Sequence, residues 1–181
     1  MNKKNVRWLE IGYKHFAMFG PENLNIDRMA QESGLSRTSF YYHFDSLTTF
    51  IDSLLEKHVE EGKKIRSSVK TGCKNFIPDF IHIICNNRFT VIFNKQLSIN
   101  RKVPEYLLAY NHFNNIVDYA TLDLWAEDFS IRGDKEFLFA VFSMLRETFY
   151  NRITLDSLEY DTIKTIILDI RQLISKLITK S

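Results

Sequence analysis

The sequence predicts an all-α protein of about nine helices, and three observations carry that expectation. Turn-formers are scarce: 181 residues hold only 6 Gly and 3 Pro, less than half the roughly 13 and 9 of average usage. An all-β sandwich or barrel needs a turn about every 8–12 residues, so the shortage argues against one. Apolar residues recur at spacings of three and four, the mark of amphipathic helices. The stretches between them carry helix caps and stops.

Residues 4–19 place Val6, Leu9, Tyr13, Phe16 and Phe19 on one stripe, and Gly20-Pro21 ends it, with Gly taking a left-handed cap. Asn25 caps a second, short helix carrying Ile26, Met29 and Ala30, which Gly34 closes. Ser36 caps a third from Arg37 to about Phe44. After Asp45-Ser46 a long fourth helix runs from Leu47 to Gly72, with Phe50, Ile51, Leu54, Leu55, His58 and Ile65 on its stripe. Further helices are expected near 74–86, 88–99, 104–128, 134–152 and 160–179, with Pro104 and Asp134 as N-terminal signals.

Composition bounds the rest. A chain 45% hydrophobic and 25% charged has enough apolar surface to fold, which excludes disorder. Lys+Arg number 24 against 22 Asp+Glu, a net charge of +2, so any nucleic-acid surface has to be local. Cys73 and Cys85 have no metal spacing; on one helix they would sit about 18 Å apart, as reduced core thiols. No signal-like apolar region opens the chain and no run reaches a membrane span. A cytoplasmic protein without a membrane partner is expected.

The informative stretch is Ile26 to Phe44. Ala30, Gly34 four residues on, and Phe40 six beyond give the spacing of a helix-turn-helix. Ala30 is small where two helices cross, Gly34 supplies a positive φ for the turn, and Leu35 and Phe40 plug the angle. With Phe40 inward, Phe44 falls about 40° away, while Thr38 and Tyr42 fall about 160° away and point out, flanked by Ser39 and Tyr41. Arg37 starts this helix. Such a face offers donors to bases and phosphates, and Thr38 can touch a thymine methyl.

Those residues carry a resemblance. Phe19-Gly20, the polar cap Asn25, Gly34-Leu35-Ser36 and Tyr41-Tyr42-His43-Phe44 resemble the DNA-binding domain of TetR-type (tetracycline-repressor-like) transcriptional regulators. The likeness covers about the first 55 residues; the remainder resembles the family only in length and in being helical. It implies a head at 1–46 and a helical ligand-binding and dimerisation domain at 47–181. It also implies a homodimer whose heads read a palindromic operator in double-stranded DNA. Arg37, Thr38, Ser39 and Tyr42 sit where such proteins contact bases, and Asn25, Tyr41 and His43 where they contact phosphates; Ser36, which opens the reading helix, belongs with them. Leu47 departs from the Lys usual there and removes a phosphate contact, which Lys3, Lys4 and Arg7 would have to replace.

Catalysis is not expected. Asp79-x-x-His82 is half of a helical metal motif without a second copy. His58 and His112 have no spaced partner, and no nucleophile elbow or phosphate loop occurs. No cofactor or metal is implied.

Phe76, Phe80, Phe89, Phe93, Tyr106, Tyr110, Phe113, Tyr119, Trp125 and Phe129 crowd the later helices. Most suit an ordinary core, yet so many invite a cavity or an interface. By resemblance that cavity takes a small apolar or aromatic effector that releases a repressor from DNA, with the fourth helix joining the two halves of the switch. Its lining cannot be named, although Arg88, His82 and His112 are candidates to orient a polar group. The last two helices are strongly apolar, and in the family such a pair forms a four-helix bundle across a two-fold axis. Phe142, Leu145, Ile163, Ile167, Ile170, Ile174 and Leu177 are accordingly assigned to a dimer interface. The alternative is a helical small-molecule-binding or protein-interaction dimer whose head lacks specific operator binding.

Overall fold

The computed structural model describes residues 3–178, with side chains described for 5–176. Among these residues the chain is all-helical, as expected, with nine α-helices and no strand. They are α1 (Lys3–Phe19), α2 (Ile26–Ser33), α3 (Arg37–His43), α4 (Leu47–Gly72), α5 (Ile81–Asn86), α6 (Arg88–Ile99), α7 (Pro104–Phe129), α8 (Lys135–Arg152) and α9 (Tyr160–Ile178). No helix of the described residues is long and apolar enough to cross a membrane.

The caps form as the sequence predicts. Asn25 accepts from the Arg28 amide at 3.0 Å, Ser36 from Ser39 at 3.1 Å and Asp134 from Phe137 at 2.9 Å. Gly34 takes φ 66, ψ 24, the left-handed turn conformation. Three expectations are corrected. Gly20 has a positive φ of 79 but an extended ψ of 168, so it begins a short 3₁₀ turn over Pro21–Asn23 instead of closing α1 in the left-handed region. The helix expected at 74–86 is broken: Pro78 pushes the preceding Ile77 to extended angles (φ −112, ψ 121) inside an irregular π turn over Phe76–Phe80, and α5 starts at Ile81. Cys73 therefore lies in the turn after α4 and off α5, and both thiols are free and half-buried instead of core.

The chain divides into two compact units. The first joins Met1–Gly62 to Phe89–Phe113, so it holds α1 to α3 with the first part of α4, most of α6 and the first part of α7. Trp8, Phe16, Met29, Phe40 and Phe50 are fully buried in it. Phe93 of α6 stacks on Phe16 at 4.0 Å and on Tyr13 at 4.4 Å. Phe50 approaches α1 so closely that a Cβ on Gly12 would lie 2.1 Å from its ring, which reserves that position for glycine.

The second unit joins Lys63–Arg88 to Asn114–Ser181. Its core is aromatic around Phe76, Trp125, Phe129 and Phe142. Here the dimer-interface assignment is corrected. Phe142, Leu145, Ile163, Ile167, Ile170 and Ile174 are all buried within the single chain, where α9 packs on α8 and α5. The stripe is this unit's own core. Leu177 lies outside the residues whose side chains are described. Among the described residues, the large apolar side chains that α8 and α9 leave exposed are Phe137, Met144 and Leu173.

Candidate nucleic-acid interface

Three buried contacts set α3 against the rest of the head. Phe40 lies edge-on to Trp8 of α1 at 5.2 Å and to Phe50 of α4 at 5.1 Å, and Phe44 packs on Phe50 at 4.8 Å. Trp8 also donates its indole N–H to the Ser39 hydroxyl at 3.5 Å. With Phe40 and Phe44 anchored, the helical period turns the opposite side outward. Thr38, Tyr41 and Tyr42 are exposed, Tyr42 by 82%. An isolated exposed aromatic is ordinary, but two adjacent tyrosines on a helix this short are not.

All eight residues singled out for DNA lie on α3 or at the two caps. Asn25 and Ser36 spend their side-chain oxygens on capping. The Asn25 amide N–H groups and the Ser36 O–H stay available, and donors are what a phosphate needs. Ser39 is half-buried beside Trp8. His43 is half-buried, with Tyr42 edge-on at 5.1 Å. Arg37 is 58% exposed, and its Nη1 donates to both Asp27 oxygens at 3.1 and 3.0 Å. A hydrogen bond with Tyr41, then the charge of Asp27, raise the Arg37 pKa above its already high value.

Sequence reasoning missed Asp27 and Trp8. Asp27, two places after the Asn25 cap, suits a helix start, but nothing along the sequence shows that it meets Arg37. Trp8 falls beside the expected stripe of α1 and gave no sign either. The basic residues divide by role. Arg7 is exposed, with Nη2 4.0 Å from where a Cβ on Gly34 would stand, so it lies beside the turn. Arg28 is held by Glu32 at 2.9 Å and lies over the Phe19 ring at 4.2 Å. Glu32 also takes His15 at 2.8 Å; that bond, and then Arg28, lower its pKa. The Lys3 and Lys4 side chains lie outside the described residues. Residues 1–46 carry six cations and five carboxylates, so long-range attraction to DNA is weak.

The other singled-out groups do not gather. Asp79 is engaged by the backbone amides of Lys74 and Asn75 at 2.8 and 3.0 Å, which hold its carboxyl below the usual range. Exposed His82 stacks on Tyr160 at 4.7 Å, Arg88 donates to the Leu155 carbonyl, and His112 is exposed. The second unit does have a groove of about 380 Å³, lined by Arg66, Lys70, Asn115, Ile116 and Tyr119.

Neither a family model nor a curated protein sequence matches this chain. The functional reading rests on the geometry of the head and on the residues that carry its resemblance.

Proposed function

We propose that this chain is a ligand-responsive DNA-binding transcriptional regulator, a repressor that binds a palindromic operator as a homodimer. The observation that carries the reading is α3: Phe40 and Phe44 are anchored inward, while Arg37, Thr38, Tyr41 and Tyr42 face out behind a Gly34 turn. Arg37 suits a base edge, Thr38 a thymine methyl, and the tyrosine hydroxyls bases or phosphates. A second helix laid across the first by a short glycine turn is how a helix-turn-helix enters the major groove. With the α9 stripe internal, the two-fold contact would use the exposed side of α8 and α9, including Phe137, Met144 and Leu173. Two cations beside Tyr119 in the second unit's groove favour an effector that is flat and negatively charged over a purely apolar one.

One set of observations favours a second reading, a helical binding dimer without a specific operator. The head is nearly neutral, Arg37 is already paired, and Leu47 stands where a phosphate-binding Lys is usual. A gel-shift with DNA flanking the protein's own gene separates the two. Arg37→Ala and Tyr42→Ala should each weaken a specific complex by about 1–3 kcal/mol while circular dichroism stays unchanged. Unaltered affinity in both variants removes α3 from the site.

A further inference from the structure

We infer that Asp27 is a positioning residue that holds Arg37 ready to read a guanine; the inference rests on the DNA-binding reading above. Asp27 stands in the first turn of α2, two residues after the Asn25 cap, where the positive end of the helix favours a carboxylate. On a face that meets phosphates a bare carboxylate would be repelled. This one is matched across ten residues by Arg37 at the start of α3, with both oxygens on Nη1.

The choice of nitrogen matters. Asp27 engages Nη1 alone, so the guanidinium edge formed by Nε–H and Nη2–H is not used by the carboxylate. Those two N–H groups are parallel and match the O6 and N7 acceptors that guanine presents in the major groove. Tyr41, one turn along, holds the group from another side, hydrogen-bonded to the guanidinium and with its ring centroid 5.8 Å from the guanidinium carbon, and a guanine that claims the N–H given to Tyr41 displaces that bond. A long side chain restrained in this way gives up less freedom when DNA arrives. Arg28 provides the contrast. Its Nε is spent on Glu32 and its plane lies on Phe19, so the edge that would read a base is taken.

The two parts of this role move in opposite directions on mutation. Asp27→Ala removes a negative charge from a DNA-facing surface, so sequence-independent binding should hold or rise. It also releases Arg37, so discrimination at one base pair should fall. An exposed ion pair adds little to stability, which leaves the fold intact for the comparison.

The test starts with the full-length wild-type protein and a pool of randomised DNA duplexes. The best duplex is then titrated at fixed salt, alongside duplexes in which each G·C pair is replaced in turn. One replacement should cost the wild type roughly tenfold. The same replacement should cost Asp27→Ala and Arg37→Ala much less, with Asp27→Asn intermediate because it keeps one acceptor oxygen. On a scrambled duplex Asp27→Ala should bind at least as well as the wild type. If Asp27→Ala discriminates as the wild type does while Arg37→Ala does not, Arg37 reads unaided: the inference falls and the DNA reading stands. Full discrimination by Arg37→Ala also overturns it. If the wild-type protein enriches no sequence, the DNA reading fails and this inference with it.

Discussion

In the second unit Phe76, Trp125, Phe129 and Phe142 pack against one another and are all buried, whereas in the first unit α3 and its C-cap bury Phe40 and Phe44 and leave Tyr41 and Tyr42 in solvent. Both regions are rich in rings, but this cluster turns its four inward while α3 turns two outward. Aromatic abundance alone therefore marks nothing in this chain; the direction of each ring does. The same holds for aliphatic residues. The α9 stripe looks from its spacing like a surface waiting for a partner, yet the unit's own α5 and α8 cover it. An amphipathic helix is satisfied by the nearest apolar surface, and in a chain this size that surface is its own.

The largest effect that would break this contrast is at Ile170, which is only 2% exposed. Ile170→Asp should unfold the second unit, because an unpaired buried carboxylate costs several kcal/mol out of a total stability of about 5–15 kcal/mol. Circular dichroism should show lost helicity and a urea midpoint shifted far down. If the variant instead stays helical and light scattering shows dissociation to a folded monomer, the stripe belongs to an interface and the contrast collapses.

The fold was legible where local chemistry decides it. Asn25, Ser36 and Asp134 are caps because their short side chains reach back to backbone amides, and Gly34 is left-handed because little else fits. Pro78 was an equally local signal, and its effect on Ile77 breaks the helix expected at 74–86. At the candidate site, the outward set Thr38, Tyr41 and Tyr42 followed from the helical period once Phe40 was placed inward. Asp27 did not, because its role depends on how α2 crosses α3, which periodicity along one helix does not contain. The covering of α9 was hidden for the same reason. Spacing shows that a face is apolar, and only tertiary packing shows what lies on it.

A middle-sized effect separates the polar part of the first unit's core from its apolar surroundings. His58 is fully buried between the rings of Phe93 and Phe113, at 4.5 and 4.2 Å. The Tyr13 hydroxyl donates to its Nδ1 at 2.7 Å, and its Nε2–H donates to the Asn94 side-chain oxygen at 3.1 Å. That arrangement needs a neutral ring. Burial outweighs the hydrogen bond to Asn94 and lowers the pKa from 6.5 to about 3, and burial also raises the Tyr13 phenol. The unfolded chain thus takes a proton on His58 as pH falls below 6.5, while the folded chain takes it only near 3. Stability from this residue is complete above 6.5 and drains away between 6.5 and 3. Urea unfolding should show a loss of about 2 kcal/mol from this source between pH 7 and pH 5. His58→Gln should flatten that portion of the slope. An unchanged slope would mean that His58 is charged inside the fold, and the neutral hydrogen-bond chain would be wrong.

The smallest effect bears on the exposed side of the contrast, at the residue where the head departs from its resemblance. Leu47 is half-buried and begins α4 just after Ser46, whose hydroxyl caps the Thr49 amide at 3.1 Å. Leu47→Lys places a cation at the positive end of a helix, an arrangement that costs about 0.3–1 kcal/mol in the free protein. On DNA the same cation should gain one phosphate, adding roughly 0.9 to the steepness with which log affinity falls against log salt. The gain at low salt should therefore shrink about 3.5-fold between 50 and 200 mM. Because phosphates carry no sequence, the gain should be equal on a selected duplex and on a scrambled one. That equality distinguishes the effect from any change in α3, which would alter the ratio between the two duplexes. A salt slope identical to that of the wild type, with helicity intact, would mean that the start of α4 faces no phosphate. The exposed tyrosines of α3 would then need a partner other than DNA, because a reading helix in the major groove brings the helix that follows it toward the backbone.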